Sequence, residues 1–201
     1  MLPNSILAAN IHNKMALNPI ESAHFDSFKV ADTAALPLAR KIFIQETSVN
    51  FSDDWLKQFK KTTNKRYREG IQNRYAKMLE KKLKENLVKA GWTIVERSQT
   101  DALTVNAQFK DLHITAPDTV NLRHKLIYSV GKVAIILEVQ DTNNKPFFTL
   151  EDRGNAGGVT GTLFETDRAL NYSIFSRLTN SWASNFVIYL DLSMDALANQ
   201  T

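Results

Sequence analysis

The feature that most constrains the fold is a long alternation of apolar and polar residues between positions 101 and 114. Four apolar residues occupy every second position: Leu103, Val105, Ala107 and Phe109. This period of two is typical of a β-strand with one buried face and one face in water. The apolar set shifts by one residue after Asp111, and this shift predicts a β-bulge near Lys110 and Asp111 that keeps the apolar side chains on the buried face.

Two further runs extend this strand into a sheet. Residues 126–141 are rich in β-branched residues, and their apolar positions alternate as Val133, Ile135, Leu137 and Val139. A polar turn at 142–146 leads into residues 147–152, a third run of strand character. Short polar connections between such runs predict an antiparallel meander of three strands.

The period changes to that of a helix between Arg66 and Ala90. Six apolar residues fall on one broad stripe at about 100° per residue: Ile71, Tyr75, Met78, Leu79, Leu83 and Leu87. Gly91 is the expected left-handed stop, and Ser52 before Asp53 predicts a capped turn of helix. Short strands are predicted at 41–46 and 92–96, so the helix belongs to a strand-helix-strand unit.

The segment after the meander combines glycines with a helical pattern. Gly154, Gly157, Gly158 and Gly161 predict a flexible loop, of which Arg153, Gly157 and Gly158 are the candidate contact residues. Thr162 and Glu165 match a capping box, and apolar residues then follow at three- and four-residue steps from Leu170 to Tyr189. Residues 187–190 also have strand propensity, but the unbroken periodicity favours a helix.

These elements predict an α+β fold: two layers, with a mixed and mainly antiparallel sheet, a strand-helix-strand unit, a three-strand meander and a long C-terminal helix. The predicted organisation is an extended or partly disordered arm at 1–39, a single domain at 40–192 and a polar tail at 193–201. Phe25, Phe28 and Val30 are the expected anchors of the arm.

Composition limits the chemistry. The 201-residue chain has no cysteine, which excludes disulfides, thiolate metal sites and cysteine nucleophiles, and leaves the compartment open. The sequence shows no run of about 18 apolar residues. The apolar patch at 6–9 has no basic residue before it, so an intact secretory signal is not expected.

Charge is concentrated in one segment. Residues 57–89 contain 12 basic and three acidic residues, a net charge of +9 in a chain whose total is +4. Four of the basic residues are expected opposite the apolar stripe of the helix: Arg74, Lys77, Lys81 and Lys84. Such a row could contact anionic lipid, polysaccharide or nucleic-acid phosphates. The alternative is an ordinary solvated helix face.

Candidate catalytic groups are sparse. Histidine and carboxylate occur together only among Asp111, His113, Asp118 and His124, and their spacing is not a recognised ligand pattern. Glu151 and Asp152 are neighbours on a strand, so their side chains are expected on opposite faces. No Gly-x-Ser-x-Gly elbow occurs and the glycine loop lacks a phosphate-binding lysine. We therefore predict no metal site, no cofactor and no catalytic activity, with a site near His113 and Asp118 as the enzymatic alternative.

Several motifs resemble those of an uncharacterised bacterial envelope family, domain of unknown function thirty-three thirteen. They occur in this order: Ile42 to Glu46, Phe51 to Trp55, Gly91-Trp92, Asp101 to Leu103, Leu112 to Thr119, and Ile136 to Asp141. The resemblance covers residues 40–192 and implies export and attachment through an N-terminal lipidated cysteine. This chain has no cysteine and departs from the family there.

The resemblance, together with the absence of a catalytic constellation, predicts an envelope-associated domain, periplasmic or lipoprotein-like, that binds or assembles without catalysis. Its expected partner is an envelope protein or an anionic lipid or polysaccharide surface. The alternative prediction, drawn from charge, is a nucleic-acid-binding protein that uses residues 57–89.

Overall fold

The computed structural model describes residues 17–115, 125–127, 129–157, 164–166 and 168–199. Its ten strands are β1 (Leu17–Pro19), β2 (Ser27–Ala31), β3 (Lys41–Ile44), β4 (Ser48–Phe51), β5 (Thr93–Val95), β6 (Leu103–Ile114), β7 (Lys125–Ile127), β8 (Gly131–Gln140), β9 (Pro146–Ala156) and β10 (Phe164–Thr166). Its three helices are α1 (Asp53–Phe59), α2 (Lys65–Lys89) and α3 (Arg168–Ala198).

Eight strands form one mixed sheet, so the predicted α+β class is confirmed. Seven of them lie in the order β1-β2-β9-β8-β6-β3-β5, and β4 pairs with β6 beyond the end of β3. The pairs of β3 with β5 and β6, and of β4 with β6, are parallel, whereas the other pairs are antiparallel. Strands β3 and β5 flank α2 in sequence, as predicted for the strand-helix-strand unit.

The predicted meander is formed by β6, β8 and β9. Ala107 lies opposite Leu137, which in turn lies opposite Leu150. The predicted bulge is confirmed, because the β6–β8 register shifts between Lys110 and His113 and Asp111 has a φ of 54°. The run predicted at 126–141 is divided, however: residues 125–127 form β7, which pairs with β10 in a separate two-stranded sheet.

Alternation along the strands gives the sheet an inner face that is covered and an outer face that is open. On β8, Val133, Ile135, Leu137 and Val139 are buried on the inner face. Lys132 is exposed on the outer face, and Ala134, Ile136 and Glu138 are half-buried there. Helix α3 covers the inner face, as the ring contacts Phe109–Trp182 (6.2 Å) and Phe148–Phe186 (5.7 Å) show. Helix α2 packs beside α3 and against β4, β5 and β6.

Helix α2 is close to its prediction. All six residues of the expected stripe are buried, and Tyr75 contacts Phe175 of α3 edge-on with 5.1 Å between ring centroids. Asn64 caps the N-terminus by accepting a hydrogen bond from the Tyr67 amide. Gly91 has a φ of 85°, the left-handed conformation predicted for the stop. The predicted cap of α1 is also present, because the Ser52 side chain accepts from the Trp55 amide.

Helix α3 is helical through residues 187–190, as favoured, but its ends differ from prediction. Glu165 lies in β10 opposite Leu126, so the capping-box prediction is wrong: strand pairing occupies 164–166 and the helix begins at Arg168. Thr162 lies outside the described residues. The helix continues to Ala198 because Leu197 is buried against the domain, where the sequence predicted a polar tail.

The segment predicted as an arm contributes two strands to the sheet. Strand β2 pairs with β9, placing Phe28 opposite Leu150, and β1 pairs with β2 at the sheet edge. The expected anchors Phe25, Phe28 and Val30 are all buried. Among the described helices, none is both long enough and apolar enough to span a membrane.

Gly154 and Gly157 have packing roles where the sequence predicted a flexible loop. Strand β9 continues to Ala156, four residues past its predicted end, and includes Gly154. A Cβ at Gly154 would lie 2.7 Å from Trp182 Cζ2, and one at Gly157 would lie 2.7 Å from Ile174 Cγ2. The absence of side chains therefore allows α3 to approach the end of β9 closely.

Candidate functional site

An open depression on the outer face of the sheet is the most site-like feature of the described structure. We call it the sheet-face trough. It has a volume of about 500 Å³, and its side-chain lining comes from α1, the β6 bulge and the ends of β8 and β9. The lining residues used below are Ser52, Asp53, Asp54, Lys57, Asp111, Lys132, Ala134, Arg153 and Asn155.

Strand register brings these side chains together. Lys132 of β8 lies between His113 of β6 and Asn155 of β9, and Ala134 of β8 lies between Lys110 and Arg153 in the next row. Residues two apart on a strand share a face, so the two rows are neighbours on the outer face. The small Ala134 side chain forms the floor between longer charged side chains.

The β6 bulge brings a carboxylate to the trough. Its extra residue, Asp111, is exposed and has a left-handed backbone conformation. Its Oδ2 lies 3.9 Å from a guanidinium nitrogen of Arg153. The Arg153 backbone amide donates a 3.1 Å hydrogen bond to Asp26 Oδ2 in the segment before β2. This contact ties the Arg153 position to the neighbouring chain segment.

The trough carries both signs of charge in equal number. Three cations line it (Lys57, Lys132, Arg153), as do three carboxylates (Asp53, Asp54, Asp111). Lys57 Nζ lies 3.5 Å from Asp54 Oδ1, and both side chains are largely exposed. An exposed pair of this kind contributes little to stability, so a ligand can replace it at small cost.

His113 lies at the α1 end of the trough. Its Nδ1 is 3.4 Å from Ser52 Oγ, the hydroxyl that caps α1. Partial burial lowers the pKa of His113 from its usual value, Lys132 lowers it further, and Asp54 acts in the opposite direction. The imidazole is therefore biased toward its neutral form, in which one ring nitrogen donates and the other accepts.

A second, smaller cleft of about 180 Å³ adjoins the trough. It shares Asp111, Ala134 and Arg153 with the trough and extends to Asp26 and Ser27 beside β9. Together the two depressions cross from α1 over β6, β8 and β9 toward β2. Neighbouring strands are about 4.8 Å apart, so the combined depression runs for roughly 15–20 Å across the sheet.

The predicted basic row lies on α2, which packs against the inner face, so it is on the other side of the molecule from the trough. Lys77 and Lys81 are exposed, whereas Arg74 and Lys84 are half-buried. Lys84 lies 2.6 Å from Glu80 and Lys81 lies 3.8 Å from Glu85. Two of the four cations therefore have intrahelical partners.

A further ion pair on α2 involves Glu85. Glu85 also accepts a 2.9 Å hydrogen bond from Lys82, which lowers the pKa of that carboxyl. Among the described residues, no carboxylate lies within ion-pair distance of Arg66, Arg74 or Lys77. The net charge of +9 already subtracts these glutamates, so the ion pairs show which cations have partners and do not lower the excess of positive charge.

The predicted loop contacts are separated by the structure. Arg153 lines the trough, Gly157 packs beside Ile174, and Gly158 lies outside the described residues. Glu151 and Asp152 lie on opposite faces, as predicted: Glu151 is exposed on the outer face, whereas Asp152 accepts a 2.5 Å hydrogen bond from Trp182 Nε1 of α3.

The histidine and carboxylate cluster considered for a metal is only partly described. Asp118 and His124 lie outside the described residues, and Asp111 and His113 flank the β6 bulge. Within the described part of the chain, no group of three histidine, aspartate or glutamate side chains is arranged to hold a metal ion.

Sequence reasoning missed most of the trough. Lys57, Lys132 and Asn155 were not among the predicted contact residues, because their proximity depends on which strands pair and in which register. One signal was available: Lys132 and Ala134 alternate with the large apolar residues of β8, and this alternation places them on the open face of a sheet.

No protein-family model and no curated protein matches the chain. Similar solved structures include a PelC dodecamer from Paraburkholderia phytofirmans, with 11% identity and a TM-score of 0.38 over 77% of this chain and 94% of that chain. A minor lipoprotein from Acinetobacter baumannii has 12% identity and a TM-score of 0.32 over 82% and 95%. A neuraminyllactose-binding hemagglutinin homolog from Helicobacter pylori has 8% identity and a TM-score of 0.33 over 92% and 98%. At TM-scores below 0.5 these likenesses carry no argument about function.

Proposed function

We propose that this chain is an envelope-associated binding domain, without catalysis of its own, that holds a segment of a polar polymer in the sheet-face trough. The observation that carries the proposal is the elongated, charge-balanced depression on the open face of the sheet. The envelope location rests on the family resemblance of residues 40–192. The meander and the two long helices serve as the scaffold.

The shape of the trough favours a chain-like ligand. Small-molecule sites are usually enclosed and mostly apolar, whereas this depression is open and continues past Arg153 into the adjoining cleft. A run of roughly 15–20 Å matches several units of an extended polymer rather than one compact molecule. Its floor lies on β6, β8 and β9, which are central strands of the sheet, and α1 forms one wall.

The hydrogen-bonding groups favour a ligand that both donates and accepts. Lys57, Lys132 and Arg153 supply donors, Asp54 and Asp111 supply acceptors, and an amide such as Asn155 supplies both. Because cations and carboxylates are equal in number, the trough does not select strongly for an anion. A hydroxyl-rich chain, such as an envelope polysaccharide, satisfies both kinds of group.

Calorimetric titration with two probes tests this proposal: neutral dextran fragments and acidic alginate fragments. Hydrogen bonds to charged groups contribute about 1.5–3 kcal/mol, so the double variant Lys132→Ala/Arg153→Ala should weaken binding of at least one probe about 10-fold or more. The matched control, Arg74→Ala/Lys77→Ala on α2, should bind as the native chain does. Equal affinity of the trough variant, or loss in the α2 control alone, would contradict the proposal.

Location is tested separately from binding. We expect fractionation of the native, full-length product to place it in the periplasm or with envelope membranes. Recovery of all the product in the cytosol would refute the envelope assignment while leaving the trough as a binding site.

Nucleic-acid binding by α2 is the second candidate, favoured by the cations without an ion-pair partner, Arg74 and Lys77 among them. It predicts affinity for duplex DNA that falls steeply with salt and is lost when Lys77, Lys81 and Lys84 are changed to Glu. Because Lys84 is paired with Glu80, Lys77→Glu alone should weaken binding more than Lys84→Glu. Absent or salt-insensitive binding would eliminate this candidate.

A further inference from the structure

The exposed side of α2 carries a straight row of cations. Lys77 and Lys84 follow Arg66 by about three and five helical turns, so the three residues lie within about 20° of one line along the helix. Arg74 and Lys81 lie on one side of this line, at about 40–60° from Lys77. The line from Arg66 to Lys84 is roughly 27 Å long. We call these five residues the α2 ridge.

The glutamates of this segment lie on the flanks of the ridge. Glu69 and Glu80 lie on one side of Lys77 and Glu85 on the other, each about 60–80° around the helix. All three glutamates already pair with lysines: Glu69 with Lys65, Glu80 with Lys84, and Glu85 with Lys81 and Lys82. The crest of the ridge therefore presents positive charge, while the carboxylates stand to either side of it.

The ridge keeps cations that an external anion can meet. Arg66 and Lys77 are exposed and Arg74 is half-buried. Within the part of the chain that the structure describes, none of the three has a carboxylate at ion-pair distance. A desolvated contact with an anion would therefore not have to break an existing ion pair at these positions.

The packing of α2 fixes which side of the helix faces outward. Tyr75, Leu79 and Leu83, on the side opposite the ridge, are at most 3% exposed. They lie in the core where α2 packs beside α3 and against β4, β5 and β6. The ridge is thus the convex crest of a helix that is held in one orientation, a shape that meets a flat surface along its whole length.

We propose that the α2 ridge rests on the surface of a bilayer that contains anionic phospholipids. The charges are complementary, because basic side chains bind such a surface at close range. Val88 lies within about 20° of Lys77 around the helix, at the end of the row, and is 58% exposed. An exposed apolar side chain among cations suits the boundary between lipid head groups and acyl chains.

The arrangement of charge favours a bilayer over duplex DNA. A helix that enters the major groove, about 12 Å wide, has phosphates of both strands along its flanks. The flanks of the ridge carry Glu69, Glu80 and Glu85, which would oppose those phosphates. A flat anionic surface meets the crest instead, where Arg66 and Lys77 are.

A bilayer on the ridge leaves the sheet-face trough open. The trough lies on the outer face of the sheet, on the other side of the molecule from α2. The same chain could therefore rest on a membrane and hold a polymer segment that faces away from it. This last consequence rests on the proposed function, whereas the ridge itself does not.

Co-sedimentation of the full chain with vesicles tests the proposal. The vesicles contain phosphatidylcholine with about one-third phosphatidylglycerol, and pure phosphatidylcholine vesicles are the neutral control. Each basic residue near an anionic surface strengthens binding about fivefold, so Arg66→Gln/Lys77→Gln should weaken it about 25-fold. The matched variant Lys29→Gln/Lys110→Gln loses the same charge on the outer face of the sheet and should change binding less than about threefold. Binding of the native chain should fall as salt screens the charges.

A dye attached to a single introduced cysteine tests the orientation, because the chain has no cysteine of its own. We expect an environment-sensitive fluorophore on Val88→Cys to shift to the blue with the anionic vesicles. The same fluorophore on Asn155→Cys, exposed on the outer face, should not shift.

Three results would overturn the proposal. The first is no binding to the anionic vesicles at about 50 mM salt, where screening is weak, or an equal loss in both double variants. The second is a blue shift at position 155 in place of position 88. The third is tighter binding to duplex DNA than to vesicles at equal phosphate concentration, which would assign the ridge to nucleic acid. The vesicles carry no polysaccharide, so none of these outcomes depends on the trough.

Discussion

Gly154→Ala is the substitution that most sharply tests how α3 is placed on the sheet. The added Cβ would lie 2.7 Å from Trp182 Cζ2 and 2.8 and 2.9 Å from the two Leu178 methyls. Ordinary contacts of this kind are about 3.5–4.0 Å. The leucine can change its side-chain conformation, but Trp182 is 3% exposed and its Nε1 donates to Asp152. The indole therefore has little room to move.

Overpacking of a closely packed interior costs about 1–3 kcal/mol. Gly→Ala also stabilises the folded state by about 0.4–1 kcal/mol, because alanine lowers the conformational entropy of the unfolded chain. The net expectation is a loss of about 1–2 kcal/mol, or about 3–6 °C in melting temperature for a chain of this length. Urea unfolding followed by tryptophan fluorescence measures it. If this position belonged to a flexible loop instead, the substitution would be neutral or stabilising, and that result would contradict a close contact between Gly154 and α3.

Gly70→Ala is the matched control. Gly70 lies inside α2, and a Cβ there would meet nothing within 4 Å. Alanine should therefore raise stability by about 0.5–1 kcal/mol, from helix propensity and from the unfolded chain together. Opposite signs for the two glycines in the same assay are the expected outcome.

Three further substitutions test other contacts. Asp152→Ala should cost about 1–3 kcal/mol in urea unfolding because the Trp182 N–H loses its acceptor, whereas Asp152→Asn keeps an acceptor and should cost less. Leu83→Ala, in the α2 stripe, should cost about 2–5 kcal/mol, against less than about 0.5 kcal/mol for exposed Val88→Ala. The pKa of His113 is lowered in the folded chain, whereas in the unfolded chain it keeps the usual histidine value of about 6.5. Around and below that pH, the unfolded chain therefore binds more protons than the folded chain. Stability should therefore fall between about pH 7.5 and pH 5.5, and fall less in His113→Gln.

The fold was predictable where periodicity was strong. The β6 alternation and its parity shift at Asp111 predicted both the burial and the bulge, because a sheet with one buried face enforces them. The six-residue stripe of α2 predicted its buried side for the same kind of reason.

Local patterns failed where a tertiary contact decides the outcome. The capping-box match at Thr162 and Glu165 carried no information that residues 164–166 pair with β7. Gly154 and Gly157 matched a loop composition, yet their neighbours on α3 explain them. A glycine required for flexibility and a glycine required for close packing look alike in one sequence.

The candidate site was the least predictable part. Charge counting favoured residues 57–89, but it could not show which of their cations form intrahelical ion pairs, as Lys84 does with Glu80. The trough gathers residues from α1, β6, β8 and β9, and their proximity depends on the pairing register. Arg153 was identified in advance as a contact residue, through its position beside the glycines, and Asp111 was identified only as a member of the histidine and carboxylate cluster.

Amide chemical shifts of the isotopically labelled full chain, titrated with the polysaccharide fragment that binds, show whether the ligand lies in the sheet-face trough. For a ligand in the trough, we expect the largest shifts on residues 108–113 of β6, 132–136 of β8 and 151–155 of β9. Residues 66–84 of α2 should be unaffected. Shifts confined to α2, or spread over both faces of the sheet without a maximum at the trough, would contradict it.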